Sequence, residues 1–215
     1  LESAQNALLK VLEEPPAYAK FILMVEDRTK LLPTLLSRSV SLELPRLDDE
    51  AIARILSREE GEVGREHFAA ALSSGIAGRA IEIYTDSDFW LLREEVYRWF
   101  FAFPSEAPSS VLSSDFDFFK TLKDVWPRVL ALLQNLVRDC LLAQEGMEDR
   151  MMQQDLAEKV QKFVSHYPLG RTGWANLSRY LEDLEIRLRA NANYELQVCR
   201  TLLLMRGEFD SCRQE

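Results

Sequence analysis

Between Phe89 and Phe103 the large apolar side chains Phe89, Leu92, Val96, Trp99, Phe100 and Phe103 recur mostly at steps of three and four residues. At 3.6 residues per turn this places them along one side of a helix. A stripe of that bulk must be buried against other helices, so this part of the chain has to be a helical bundle. The whole sequence agrees, because 8 Gly and 8 Pro in 215 residues are too few to punctuate many hairpins, which excludes an all-β sandwich. The longest apolar runs are about five residues, such as Phe21 to Val25, far short of the roughly 18 to 20 that span a bilayer. No membrane span and no signal-peptide pattern is read.

The bundle continues in the same way. Residues 104–114 hold five Ser and two Pro and read as a loop. Helices are predicted from Asp115 to about Trp126, from Pro127 to Gln144, around 149–165, and, after the loop HYPLGRTG, over about 174–190 and 194–206. Ahead of this bundle Pro45 marks a boundary. Asp48 suits an N-cap for a helix with Ile52, Ile55 and Leu56 inward. A second helix carries Phe68 and Leu72, and a third starts near Ala77 with Ala80, Ile81 and Tyr84 inward. Residues 46–86 therefore read as a small three-helix domain and 87–215 as a larger helical one.

Residues 1–45 differ in kind. A helix over 3–14 places Ala4, Leu8, Val11 and Leu12 on one face and stops at Pro15-Pro16. Phe21 to Val25 reads as a strand buried on both faces, Lys30 to Leu36 as a short helix with Pro33 in its first turn, and Val40, Leu42 and Leu44 as a second strand. Two strands cannot close a sheet. The chain also begins at Leu1 with no initiator Met, so the expectation is a fragment whose missing sheet lies before Leu1.

Charge and cysteine narrow the function. Lys and Arg number 26 against 35 Asp and Glu, a net charge of −9. No segment is basic: 5 against 6 over residues 1–45, 5 against 8 over 46–85 and 16 against 21 over 86–215. Autonomous DNA binding is disfavoured on that balance. Cys140, Cys199 and Cys212 lack CxxC spacing and a nearby His, which argues against a disulfide framework or zinc site and for the cytoplasm. His67 and His166 are isolated and read as structural. Glu13-Glu14 reads as a solvated helix end, and Asp48-Asp49-Glu50 as a cap with favourable charge at a helix N-terminus. There is no GxxxxGK[ST] phosphate loop. Ser37-Arg38-Ser39 falls where a short helix hands over to a strand, at a rim from which a guanidinium can project. By local sequence alone Arg38 is an ordinary surface arginine.

In combination, SAQNALLKVLEEPP, FILMVEDRTKLLPTLLSRS and SSGIAGRAIEI resemble the clamp-loader family of AAA+ proteins. The similarity is dense over 1–85, and NANYELQVCRTLLLMR (191–206) resembles the end of the family's collar domain. Residues 86–190 match only in being helical. The resemblance implies a mainly α chain with three parts: a remnant of the α/β ATPase domain at 1–45, a helical lid domain at 46–86, and a collar domain for oligomerisation at 87–215. Walker A, Walker B and any zinc site would precede Leu1, leaving no cofactor or metal on these residues. Arg38, preceded by Ser37, matches the arginine of the family's Ser-Arg-Cys motif, which reaches in trans into the ATP site of a neighbouring subunit. Ser39 replaces the usual Cys. Val25 stands at the sensor 1 position, usually Thr or Asn, and Gly78 at the sensor 2 arginine, with Arg79 one position off and about 100° round the helix. These departures favour a subunit with no catalytic activity of its own. Its implied partners are gamma/tau and delta subunits, and through the assembled complex the sliding clamp and primer–template DNA, with ATP held on neighbouring subunits. The alternatives are a gamma/tau-type ATP-hydrolysing subunit or an unrelated helical scaffold.

Overall fold

The computed structural model describes residues 2–25 and 27–212. Its elements are helices, and no strand occurs among the described residues, so the chain is mainly α. It divides into two units, Leu1–Pro45 and Arg46–Glu215.

The first unit holds α1 (Glu2–Glu13), a 3₁₀ turn (Arg28–Lys30) and α2 (Pro33–Leu36). Pro33 starts α2 where its missing N–H costs nothing. Leu35 is the one buried side chain among the described residues of this unit. The two expected strands are not formed. Phe21 to Val25 and Val40, Leu42 and Leu44 lie in irregular chain, with Ile22 87%, Met24 91% and Val40 98% exposed. A strand depends on ladder bonds to a neighbouring strand, and neither segment has one among the described residues. Of the face expected for α1, only Leu12 turns inward. Gln5, Leu9 and Leu12 are half-buried while Ala4, Leu8 and Val11 are exposed, a rotation set by Gln5. Its side-chain carbonyl accepts from the Leu32 N–H at 2.9 Å and its amide donates to the Lys30 carbonyl at 3.0 Å.

The second unit opens with α3 (Asp49–Leu56), α4 (Glu66–Ser73) and α5 (Ala77–Thr85), which pack on one another. Asp48 caps α3, its carboxylate accepting from the Ala51 N–H at 2.6 Å. Ser74 and Gly75 turn the chain between α4 and α5 with φ of 54° and 84°. A side chain at Gly75 would lie 2.5 Å from Arg46 Cβ and 2.9 Å from the Leu47 carbonyl, so glycine is required there for space as well as conformation. Gly61 has the same steric role against the Tyr84 ring.

Then follow α6 (Ser87–Ala102), α7 (Ser114–Thr121), α8 (Trp126–Gln144), α9 (Ala157–His166), α10 (Gly170–Arg189) and α11 (Tyr194–Cys212). Asp86 caps α6 by accepting from the Phe89 N–H at 3.0 Å. The expected stripe is inward: Phe89, Val96, Trp99, Phe100 and Phe103 are buried and Leu92 is half-buried. Phe100 lies among Phe163 (ring centres 5.5 Å apart) and Phe209 (6.4 Å). The core is continuous into the first three helices, because Phe68 of α4 packs on Phe89 at 6.4 Å and Trp90 at 5.7 Å.

Several boundaries differ from expectation. The helix expected to reach about Trp126 ends at Thr121, and α10 starts at Gly170, inside the expected loop. Residues 104–114 contain 3₁₀ turns that bury Val111, α9 starts only at Ala157, and α11 runs past Arg206 to Cys212. Phe209 explains the last: it is fully buried against Phe103, Tyr167 and Trp174, which outweighs the roughly 1 kcal/mol helix penalty of Gly207. Arg206 adds a pin. Its buried guanidinium donates to the Phe103 carbonyl at 3.2 Å and the Glu106 carbonyl at 2.9 Å. No helix among the described residues is long and apolar enough to cross a membrane.

Candidate functional site

Arg38 follows the last turn of α2. The Ser37 N–H closes that turn on the Pro33 carbonyl at 3.0 Å, and the Arg38 N–H bonds the Leu35 carbonyl at 3.2 Å. Ser37 Oγ donates to the Thr34 carbonyl at 3.0 Å. The guanidinium is held by three groups, the most distant being Ser37 Oγ, 3.5 Å from Nη1. Nη1 donates to the Thr34 carbonyl at 3.2 Å, an orphan acceptor of a helix end, and Nη2 meets Glu13 Oε1 at 2.8 Å. Both side chains remain open to solvent, at 40% for Arg38 and 50% for Glu13.

A guanidinium carries five N–H donors, and these contacts engage only part of that set. The remainder of the fork is offered outward from a fixed base. That base is built from α1: Gln5 clasps the Lys30–Leu32 turn that leads into α2, and Leu35 seats α2. A phosphate or carboxylate oxygen pair is the ligand such a fork suits. The exposed ion pair with Glu13 is weak enough to be exchanged for it.

The other sequence candidates are distributed over both units. Val25 belongs to the first, in irregular chain and 50% exposed. Gly78 and Arg79 belong to the second, exposed in the first turn of α5, with open space where a side chain at Gly78 would stand. Neither Val25 nor Gly78 has a polar side-chain group. Sequence reasoning missed Gln5 and Glu13 as partners of this site. Glu13 reads from sequence as a solvated helix end, and nothing local signals its pairing with Arg38. Among the described residues no three His, Cys, Asp or Glu side chains gather to hold a metal ion.

A family described as DNA polymerase III, delta subunit, matches residues 1–48. The DNA polymerase III subunit delta' of Bacillus subtilis is 27% identical over 210 residues, covering 96% of this chain and 62% of the relative. The delta' subunit of Escherichia coli is 38% identical over 95 residues, 43% of this chain and 28% of the relative. The subunit tau of Salmonella typhimurium is 48% identical over 64 residues, 30% of this chain and 10% of the relative. The chain thus spans less than two thirds of the length of these curated relatives. Similarity to delta' over nearly all of this chain, and to tau over part of it, agrees with the motifs around Arg38: the chain is similar to DNA polymerase III subunits of the delta' and tau/gamma kinds.

Proposed function

We propose that this chain is the delta-prime-type subunit of a clamp loader, which supplies Arg38 in trans to the ATP site of a neighbouring gamma/tau subunit. The observation that carries the reading is the Arg38 fork itself, exposed, based on Thr34 and Glu13, and aimed by α1 and α2. An always-protonated, planar group on a firm base is what a γ-phosphate oxygen pair needs from a partner subunit. Ser37 serves by closing α2 and fixing where Arg38 begins. Hydrolysis in cis is disfavoured by the same residues that depart from the family pattern. The valine at position 25 and the glycine at 78 have no hydrogen bond to give a water or phosphate, and Arg79 leaves α5 in another direction. No cofactor is assigned to this chain; ATP belongs to its neighbours.

In this reading residues 1–45 are part of an AAA+ domain, 46–86 the lid and 87–215 the collar through which gamma/tau and delta subunits assemble. The complex, in the cytoplasm, opens the sliding clamp and places it on primer–template DNA. An acidic chain held in such a ring has no need of its own DNA-binding surface. The gamma/tau-type alternative has one point in its favour, the 48% identity to tau over 64 residues; ATP hydrolysis by the isolated intact protein would select it.

The test replaces Arg38 by Ala in the intact protein, reconstitutes the loader and measures clamp- and DNA-stimulated ATP turnover. The expected result is normal assembly with turnover at the served site reduced by about 10³-fold or more. Unchanged turnover in a normally assembled complex overturns the assignment.

A further inference from the structure

Arg93 of α6 is buried, and three parts of the second unit meet at it. Its guanidinium carbon lies 4.7 Å from the centre of the Phe68 ring on α4, and 5.4 and 5.0 Å from the rings of Trp90 and Tyr97 on α6. Nη2 donates to both carboxylate oxygens of Asp155 at 2.8 Å and to Gln153 Oε1 at 3.3 Å. The 152–153 segment is fastened in turn to α8, where the buried Asp139 accepts from the Met152 N–H at 3.1 Å and the Gln153 N–H at 3.0 Å. One side chain thus joins the 46–86 helices to α6, and through residues 153–155 to α8.

This tie is a poor way to gain stability. Arg93 Nε and Gln153 Nε2 are buried without a well-formed hydrogen bond among the described residues. A buried charge stabilises only when its geometry and remaining bonds are complete, and an apolar side chain of similar volume is often as good or better. What an apolar side chain lacks is direction. Across the same seam, Phe68 against Phe89 and Trp90 is a ring contact that tolerates sliding; the other directional contacts are Trp90 Nε1 to the Tyr84 carbonyl at 3.2 Å, the Arg65 guanidinium 4.5 Å from the centre of the Trp90 ring, and, at the junction itself, Arg128 Nη1 to Asp86 Oδ2 at 3.1 Å. A guanidinium held over the Phe68 ring and bonded through Nη2 to Asp155 admits a narrow range of angles between the two groups of helices.

We propose that Arg93 is a positioning residue that sets the angle between the helices of 46–86 and the bundle of 87–215, and contributes little to holding the core together. The inference rests on the packing of this chain alone and needs neither nucleotide nor partner, so its failure and that of the trans-arginine reading are separate events.

The test uses the chain with Cys199 and Cys212 replaced by Ser and spin labels at the exposed positions 82 on α5 and 158 on α9. Distance distributions and thermal unfolding are measured on the same samples. Arg93→Met is expected to keep the unfolding midpoint within a few degrees while shifting or broadening the distance distribution. Arg93→Lys, whose ammonium lacks the planar fork, should not restore it. Asp155→Asn keeps the guanidinium over the Phe68 ring but removes its charged partner at a half-exposed position, and should broaden the distribution less. A wild-type distribution in Arg93→Met overturns the proposal whatever its stability. So does a large fall in midpoint with the distance unchanged. Should Arg93→Met fail to fold, Asp155→Asn decides, with a broadened distribution supporting the proposal and an unaltered one overturning it.

Discussion

Residues 1–45 and 46–215 have similar apolar vocabularies and opposite fates. In the first unit Phe21, Ile22, Leu23, Met24 and Val25 are all substantially exposed, and Leu35 is the single buried side chain among the described residues. In the second, Phe68, Phe89, Phe100, Phe163, Trp174 and Phe209 join one continuous core. The difference lies in where each element finds its hydrogen bonds. A helix satisfies its backbone from within and needs a neighbour only for its apolar stripe. A strand has neither its backbone nor its faces satisfied until other strands arrive.

The comparison breaks hardest at Phe100. Truncation to Ala removes a fully buried ring from the meeting point of α6, α9 and α11, and should cost about 3–5 kcal/mol in urea unfolding. Leu35→Ala in the first unit should register instead as faster amide exchange over residues 33–38, because little else around it is buried. Equal global losses from the two would show that the first unit is as well packed as the second.

Legibility from the sequence followed the same division. The α6 stripe and the Asp48 cap could be read directly, since both depend on residues three or four apart. The rotation of α1 could not, because it is set by Gln5 binding a turn 25 residues away. The end of α11 differs for a related reason: Gly207 is visible locally, whereas the pocket that accepts Phe209 is assembled from Phe100 of α6, Phe163 of α9 and Trp174 of α10. At the candidate site Arg38 was legible as part of a motif. Its ion pair with Glu13 was not, because that pairing joins the ends of two separate helices.

A smaller effect distinguishes two accounts of a buried charge in the second unit. Burial pushes the Asp139 carboxyl above its usual 3.8, against the opposing pull of the Met152 and Gln153 N–H groups and of Arg138. A carboxyl with a raised folded-state value binds its proton more tightly folded than unfolded. Its contribution is therefore greatest below 3.8 and is lost as pH rises through the folded-state value. Asp139→Asn should be destabilised, because its NH₂ faces a backbone donor, and its deficit relative to wild type should narrow from about pH 4 to about pH 7. If the ion pair with Arg138 governed the site instead, the deficit would widen over the same range.

The smallest stability change is expected at Glu13, whose side chain is half exposed. Glu13→Gln removes an ion pair whose partners are 50% and 40% exposed, worth at most about 0.5 kcal/mol after screening by solvent. The Thr34 carbonyl still anchors Nη1, so Arg38 keeps its base and loses only its competing anion. In the reconstituted loader the two roles of Glu13 then have opposite signs. If the carboxylate chiefly orients the fork, Glu13→Gln lowers ATP turnover at the served site. If it chiefly occupies the fork until a phosphate arrives, turnover there holds or rises. The exposure of the pair and the second anchor on Thr34 favour the latter. A turnover loss as large as that of Arg38→Ala, with unfolding unchanged, would show instead that the base of the fork depends on Glu13.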